Sequence, residues 1–134
     1  MTGLCFAKLG TWITKGEEEE ERKQRMNRRD MGEFGEQKAA EMLLRSGYQI
    51  LERNFSCRTG EIDIVAKTGM TIVFVEVKSR SGDAYGMPAE SVTKKKQDKI
   101  RRTAMYYLKT HNVRYTDIRF DVVEVFFDHI CDAF

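Results

Sequence analysis

The stretch that decides the fold is Gly60–Lys78, which reads GEIDIVAKTGMTIVFVEVK. Two apolar runs rich in β-branched residues flank Lys67–Met70, and the glycine between them suits a turn, so the pattern predicts a β-hairpin. Three charged side chains interrupt these runs: Asp63, Glu76 and Lys78. A charge inside a strand costs several kcal/mol unless it is paired or binds something. Each of the three therefore needs a physical reason.

Length and composition indicate a single soluble domain. The chain has 134 residues, of which 41% are hydrophobic and 33% charged, so it can bury a sizeable core. No apolar run approaches the roughly 20 residues needed to span a bilayer, and Leu4–Ala7 is too short for the core of a signal peptide. Cys5, Cys57 and Cys131 are far apart and lack the spacing of a metal site. We therefore expect a cytoplasmic protein with unpaired thiols and no zinc site.

The charges are segregated into blocks. Lys and Arg number 23 against 21 acidic residues, so net charge alone does not identify a nucleic-acid binder. The acidic run Glu17–Glu21 is followed at once by a basic run that ends at Arg29. Residues 1–30 are expected to form a charged extension that is disordered or partly helical, with a basic arm on a phosphate backbone as the alternative. The folded domain is expected over residues 31–127, followed by a tail at 128–134.

The first predicted helix runs from Met31 to Ser46, with Asp30 as its cap and Gly47 as its end. Helical spacing predicts a buried stripe formed by Gly32, Gly35, Ala39, Met42, Leu43 and Ser46. The two glycines of this stripe are poor helix formers, which indicates that something packs closely against the first turn. Glu36 lies beside the stripe. From the helix pattern by itself, we expect Glu36 to be a carboxylate at the edge of the buried stripe that pairs with an arginine.

The predicted sheet is apolar on both faces. A first strand begins at Tyr48. In the second strand Ile62 and Ile64 are expected on one face, with Glu61, Asp63 and Val65 on the other; in the third, Ile72, Phe74, Glu76 and Lys78 are expected to share a face. Because much of the third strand is apolar on both sides, we expect helices to cover both, as in an α/β layer.

The hairpin register brings the charges together. If the chain pairs back across its turn, Asp63 lies close to Glu76, and two carboxylates repel each other unless a cation sits between them. Mg²⁺ binds carboxylate oxygens and keeps several of its waters, so a bound Mg²⁺ would explain why the two carboxylates lie close together. Lys78 would then orient a water or stabilise charge on a phosphate. The alternative is a structural ion pair between Lys78 and Glu76. The convergence of three charges favours the functional interpretation.

The second predicted helix is strongly basic. It starts near Ser91 or Thr93 and ends at Thr110, with Ile100, Ala104, Tyr107 and Leu108 as its core stripe. Its first turns carry Lys94, Lys95, Lys96, Lys99, Arg101 and Arg102. A solvated face is the default interpretation, and a polyanion is the partner that such a patch would suit. Lys96 and Gln97 are the positions expected to turn toward a site.

The remaining polar residues carry weaker signals. Arg80 lies in a predicted loop, Ser79–Pro88, where it either contacts a substrate or merely connects. Asp121 interrupts the last predicted strand, Ile118–Phe127, and an arginine is its expected structural partner. His111 and His129 are isolated, and neither supports a catalytic triad.

The ordered set of these motifs resembles the YraN family of small bacterial proteins. The matching segments are Gly32-x-x-Gly35-Glu36 with Ala39, Gly47-Tyr48-x-Ile50-Leu51, Arg53-Asn54, Gly60–Ala66, Phe74–Lys78 with Arg80, Val92-x-x-Lys95-Lys96-Gln97, and Arg119–Asp121. The resemblance covers nearly the whole domain, from about Gly32 to Val125. The charged N-terminal thirty residues fall outside it.

That family is similar to restriction-endonuclease-like nucleases, and in particular to archaeal Holliday-junction resolvases. The resemblance implies an α/β, restriction-endonuclease-like fold with a central mixed β-sheet flanked by helices. It also implies a site at Glu36, Asp63, Glu76 and Lys78, with Ile62 where the best-known form of the motif has proline. Resolvases of this kind work as dimers on two-fold substrates, so the resemblance also implies a homodimer as one oligomeric state of this protein.

The sequence therefore predicts a Mg²⁺- or Mn²⁺-dependent DNA endonuclease, with a structure-selective nuclease as one form of it. Asp63, Glu76 and the backbone carbonyl of Val77 are the expected metal ligands, and Glu36 would bind a metal or hold a water. Arg80 and the basic helix are expected to hold the nucleic-acid backbone. Two alternatives remain. One is a nuclease-like module that binds nucleic acid or a protein without cutting; the other is an interaction protein with a purely structural ionic cluster.

Overall fold

The computed structural model describes residues 4–6, 12–81, 92–127 and 130–134. In chain order the elements are β1 (Leu4–Phe6), β2 (Trp12–Thr14), α1 (Lys15–Arg45), β3 (Gln49–Cys57), β4 (Gly60–Thr68), β5 (Thr71–Ser81), α2 (Lys94–Thr110) and β6 (Asp117–Phe127). The chain divides into two compact units, one ending at Phe34 and the other beginning at Gly35. Helix α1 contributes residues to both.

In the first unit, β1 and β2 pair in antiparallel fashion and α1 begins directly after β2. The predicted start at Met31 is wrong because a capping box sets the start at Lys15. The backbone N–H of Thr14 donates to Glu17 Oε2 at 2.7 Å, and the N–H of Glu17 donates to Thr14 Oγ1 at 3.3 Å. Glu, Lys and Arg are strong helix formers, so the helix continues through the charged run and past Asp30.

The second unit contains a four-stranded mixed sheet in the order β3-β4-β5-β6. The first three strands form an antiparallel meander, and β6 pairs in parallel with β5 after the chain has passed through α2. The hairpin predicted from Gly60–Lys78 is confirmed as β4 and β5. Its turn contains Gly69, whose φ of 58° is a left-handed conformation that glycine adopts without strain. The predicted mixed sheet is also confirmed.

Both faces of the sheet are covered, as the apolar pattern of β5 predicts. On one face, the α1 side, the buried cluster consists of Ala39, Ala40, Leu43, Ile64, Ala66, Val73 and Val75. On the other face, the α2 side, it consists of Phe55, Ile62, Val65, Ile72, Phe74, Ala104 and Tyr107. The predicted stripe of α1 is wrong at Met42, which is 47% exposed, and at Ser46, because Ala40 turns inward instead.

Close packing of α1 against β5 explains one of its two glycines. A Cβ on Gly35 would lie 1.9 Å from Ser79 Oγ, so only glycine lets the helix approach β5 at this level. For Gly32, none of the described residues lies within 4 Å of the corresponding position. The next residue, Glu36, is half-buried, and its negative charge acts on Asp63.

The alternation of β4 breaks at Asp63. Ile62 packs in the cluster on the α2 side and Ile64 in the cluster on the α1 side, so the prediction that they share a face is wrong. The pairing of β4 with β5 ends at Ile64 and Val75. Beyond it, the Asp63 carboxylate accepts a hydrogen bond from the backbone N–H of Val77 at 2.7 Å. The Asp63 side chain thus replaces a backbone hydrogen-bond acceptor at the point where β4 and β5 separate.

The remaining elements agree with the predictions in outline. Thr93 caps α2, its hydroxyl accepting from the backbone N–H of Lys96, and the predicted core stripe of this helix faces the sheet. Ser79–Ser81 belong to β5 rather than to a loop, and residues 82–91 lie outside the described residues, as do residues 128 and 129 of the expected tail. Cys57 and Cys131 form no disulfide. In the described part of the chain, neither helix combines the length and apolarity needed to cross a membrane.

Candidate acidic site

A pocket of about 240 Å³ lies between the open end of the β4–β5 ladder and the first turns of α2. It is lined by Gly60, Glu61, Asp63, Glu76, Lys96, Lys99 and Ile100. The structure therefore brings Asp63 and Glu76 together, as the hairpin register predicts. Glu76 is there because residues of β5 alternate, which turns its side chain to the α2 side.

The environment of Asp63 disfavours its charged form. Burial raises the pKa of Asp63 from its ordinary value of 3.8 to about 6. The hydrogen bond from the N–H of Val77 opposes this shift, whereas the negative charges of Glu76 and Glu36 and a hydrogen bond between the Asp63 and Glu76 carboxyl groups add to it. Near neutral pH this carboxyl group therefore binds and releases a proton readily. A cation would favour the ionised form.

Two ammonium groups meet at the same oxygen of Glu76. Lys78 Nζ lies 3.7 Å from Glu76 Oε1, and Lys96 Nζ is in direct ion-pair contact with the same atom. Burial lowers the pKa of Lys78, and the charge of Lys96 lowers it further. Burial also opposes the charge of Lys96, but the pair with Glu76 outweighs it and raises the pKa. Lys78 is thus the more easily deprotonated of the two.

Glu36 acts on the site through its charge. It is half-buried on α1, and its negative charge helps to raise the pKa of Asp63. Within the described residues, however, no three His, Cys, Asp or Glu side chains converge closely enough to hold a metal ion. Asp63 and Glu76 are the two partly buried carboxylates of the pocket, and Glu61, which also lines it, is exposed. Two carboxylates fit Mg²⁺, which commonly takes one or two from a protein and completes its shell with water and phosphate oxygens.

The predicted basic residues divide into three groups. Lys96 and Lys99 line the pocket. Lys94, Lys95, Arg101 and Arg102 are exposed along α2. Arg80 and Gln97 point elsewhere: Arg80 Nε lies 3.1 Å from Glu124 Oε1, and the Gln97 amide donates to the carbonyl of Val92 at 3.0 Å. The helical phase therefore identifies Lys96 as a residue of this pocket, whereas Gln97 does not line it.

The expected structural partner of Asp121 is confirmed. Arg119 contacts both of its carboxylate oxygens, at 2.8 and 2.9 Å, and also donates to the Tyr48 hydroxyl at 2.7 Å. The hydrogen bonds to Asp121 and Tyr48 raise the pKa of the Arg119 guanidinium. Asp121 is paired in register with Val75, whose side chain is on the α1 side, so this pair lies on the opposite face from the pocket.

Sequence reasoning missed two polar partners. Glu124 aligns with Lys78 in the parallel pairing of β5 and β6 and forms the ion pair with Arg80, but no local pattern predicts which strands are neighbours. His111 ends α2, stacks on the ring of Tyr107 and lies 3.2 Å from Glu52. Its position after the last apolar residue of the helix is a signal for such a structural role.

These features define an α/β protein with an acidic pocket on its sheet and a basic helix over that pocket. The model of the uncharacterised protein family UPF0102 matches residues 35–125. The chain belongs to this family, also known as YraN, so the resemblance found in the sequence is confirmed. The matched range contains the whole pocket.

Relatives at about half identity carry the same family description. A UPF0102 protein of Caldicellulosiruptor saccharolyticus is 50% identical over 101 residues, which cover 75% of this chain and 86% of that protein. A UPF0102 protein of Clostridioides difficile is 48% identical over 114 residues, covering 81% of this chain and all of that protein. One from Clostridium botulinum is 53% identical over 100 residues, covering 72% and 80%. None of these descriptions states an activity.

Proposed function

We propose that the protein is a metal-dependent DNA endonuclease with a restriction-endonuclease-like fold. The observation that carries this proposal is the state of Asp63. Its carboxylate is partly buried beside Glu76, and in the described part of the chain it forms no ion pair. A structural role would pair this charge, as Arg119 pairs Asp121. A buried carboxylate that faces a second carboxylate in an open pocket is better explained by a cation.

The arrangement of the sheet supports the same proposal. An acidic residue on α1, an aspartate on β4 and a Glu-x-Lys sequence on β5 occur in the order that the resemblance to these nucleases implies. Asp63 and Glu76 would hold Mg²⁺ or Mn²⁺, with the Val77 carbonyl as a further ligand and Glu36 binding the metal or a water. When bound, such an ion lowers the pKa of a coordinated water and stabilises charge on the scissile phosphate.

The protein's own residues would position the reactants. Lys78, whose pKa is lowered, orients the attacking water and accepts its proton when deprotonated. Lys99, at the pocket wall, would contact the phosphate next to the scissile bond. The exposed lysines and arginines of α2 would hold the nucleic-acid backbone without reading its sequence.

A cleavage assay tests this function. Branched and linear DNA are incubated with the protein and Mg²⁺ or Mn²⁺, with a chelator as the metal-free control. We expect cleavage by the wild type and a loss of about a hundredfold or more in Asp63→Ala and in Lys78→Ala. Asp121→Asn is the matched control, because it removes an aspartate charge from the other face of the sheet and should keep the activity. Cleavage that survives both Asp63→Ala and Lys78→Ala would show that the site is assigned wrongly.

A second candidate is a nucleic-acid-binding module that does not cut. The contact between Lys96 and Glu76 favours it, because this pair neutralises one of the two carboxylates without a metal. In that case Asp63→Ala leaves binding unchanged, whereas reversing the charges of Lys94–Arg102 abolishes it. Fluorescence anisotropy of a labelled duplex in the presence of a chelator distinguishes this function from metal-dependent cleavage.

A further inference from the structure

Two positively charged ammonium groups contact the single negative charge of Glu76. Its side chain is 11% exposed, and a single oxygen, Oε1, carries both Lys78 and Lys96. Asp63 lies next to this group and forms no ion pair in the described part of the chain. The two ammonium groups therefore balance the two carboxylates only when both carboxylates are ionised. A divalent cation added to these four side chains would give the set an excess of two positive charges.

Lys96 is the ammonium group that can leave. Lys78 projects from β5 two residues from Glu76, so the strand itself holds the two side chains side by side. Lys96 reaches Glu76 from the first turn of α2, and its side chain is 41% exposed, against 26% for Lys78. Rotation about its flexible four-carbon stem can carry the ammonium group out of the pocket.

The surroundings of Lys96 suit a phosphate. Lys94 and Lys95 precede it, and the first turn of α2 contains no acidic residue. The positive end of the helix dipole lies at the same turn, so an anion there is favoured. Lys99 adds a further positive charge at the pocket wall. An incoming phosphodiester would therefore stabilise an ammonium group released from Glu76.

We propose that the Lys96 ammonium group occupies on Glu76 the place that a divalent cation requires, and that a nucleic-acid phosphate draws it away. Cation and nucleic acid then bind cooperatively, each raising the affinity for the other by the same factor. This inference rests on the proposed function, because it concerns the same carboxylates. It means that the protein holds its cation weakly until the backbone to be cut is present.

Binding of Mn²⁺ alone, measured by calorimetry without DNA, tests the exchange. Lys96→Met removes the competing ammonium group, and we expect it to bind Mn²⁺ about tenfold more tightly than the wild type. Lys95→Met is the matched control. It removes the same charge from the same turn of α2, but its side chain is exposed and does not line the pocket. We expect Lys95→Met to stay close to the wild type.

Two further measurements complete the test. Lys96→Gln repeats the titration with a polar side chain, and thermal melts check that each variant is folded. The affinity for a DNA duplex is then measured with a chelator and with Ca²⁺. We expect the increase caused by Ca²⁺ to be smaller in Lys96→Met than in Lys95→Met, because part of the coupling passes through Lys96.

The outcomes separate this inference from the proposed function. If Lys96→Met and Lys95→Met bind Mn²⁺ equally, or if Lys96→Met binds it more weakly than the wild type, Lys96 does not compete with the cation for Glu76 and this inference is wrong. The proposed function would still stand, provided that Asp63→Asn abolishes Mn²⁺ binding. If no variant shows binding that depends on Asp63, both are wrong.

Discussion

Two aspartates interrupt apolar strands of the same sheet, and their surroundings differ in kind. Asp121 on β6 lies against Arg119, which donates to both of its oxygens and is itself held by the Tyr48 hydroxyl. Asp63 on β4 receives a single backbone N–H, from Val77, and faces Glu76. The first charge is neutralised within the fold. The second has no ion-pair partner of its own in the described part of the chain.

The comparison shows what distinguishes a functional charge from a structural one. Both aspartates have large apolar residues directly before and after them, so these immediate neighbours do not separate the two. The partner does, and the partner of Asp121 lies only two residues away, on the same face of the same strand. No basic residue occupies the corresponding positions around Asp63, where Glu61 and Val65 are found.

The largest expected effect is that two variants change the free energy of unfolding in opposite directions at pH 7. Asp63→Asn removes a charge that burial disfavours, and we expect it to raise the free energy of unfolding by about 1–2 kcal/mol after allowance for solvent screening. Asp121→Asn removes half of a hydrogen-bonded ion pair, so it should lower the free energy of unfolding. Urea denaturation without metal measures both. Destabilisation by Asp63→Asn would mean that this carboxylate, too, is structural.

The next effect is the dependence on pH that Asp63 produces. The folded-state pKa of Asp63 is raised from 3.8 to about 6. Its neutral form therefore contributes stability that is fully present below about pH 4 and is lost as the pH rises through about 6. We expect the difference in unfolding free energy between Asp63→Asn and the wild type to grow over this range. A flat difference for Asp63→Asn would contradict the assignment.

The smallest effect concerns how the neighbouring charges act on Asp63. Glu76 raises the pKa of Asp63 more than Glu36 does. We therefore expect Glu76→Gln to lower that pKa, and Glu36→Gln to lower it less, in a carboxyl titration followed by NMR without metal. An equal or larger shift in Glu36→Gln would place Glu36 closer to the centre of the site than the structure shows.

Much of the fold follows from local sequence. The hairpin, the apolar faces of β5 and the core stripe of α2 are set by alternation and helical spacing, which are properties of neighbouring residues. The start of α1 was also readable, because Thr14 and Glu17 have the spacing of a capping box. It was missed because a dense charge run is usually a solvated extension rather than a helix.

The rest depends on contacts between distant residues. Local alternation places Ile62 and Ile64 on one face, whereas the alternation breaks at Asp63, which accepts a hydrogen bond from the backbone N–H of Val77. The pairing of Arg80 with Glu124 requires knowledge that β6 is parallel to β5 and in register with it. The contact of Lys96 with Glu76 depends on where α2 crosses the sheet. The helical spacing of α2 limits which of its residues can face the sheet but does not decide which one contacts Glu76.

The order of the strands has a consequence for synthesis and truncation. The meander β3-β4-β5 pairs neighbours in sequence, whereas β6 reaches β5 only after α2 has been made. Until then β5 is an edge strand whose apolar residues, Ile72 to Val75, can recruit another chain. We therefore expect chains that end before Asp117 to aggregate, even though Asp63, Glu76 and Lys78 are all present in them.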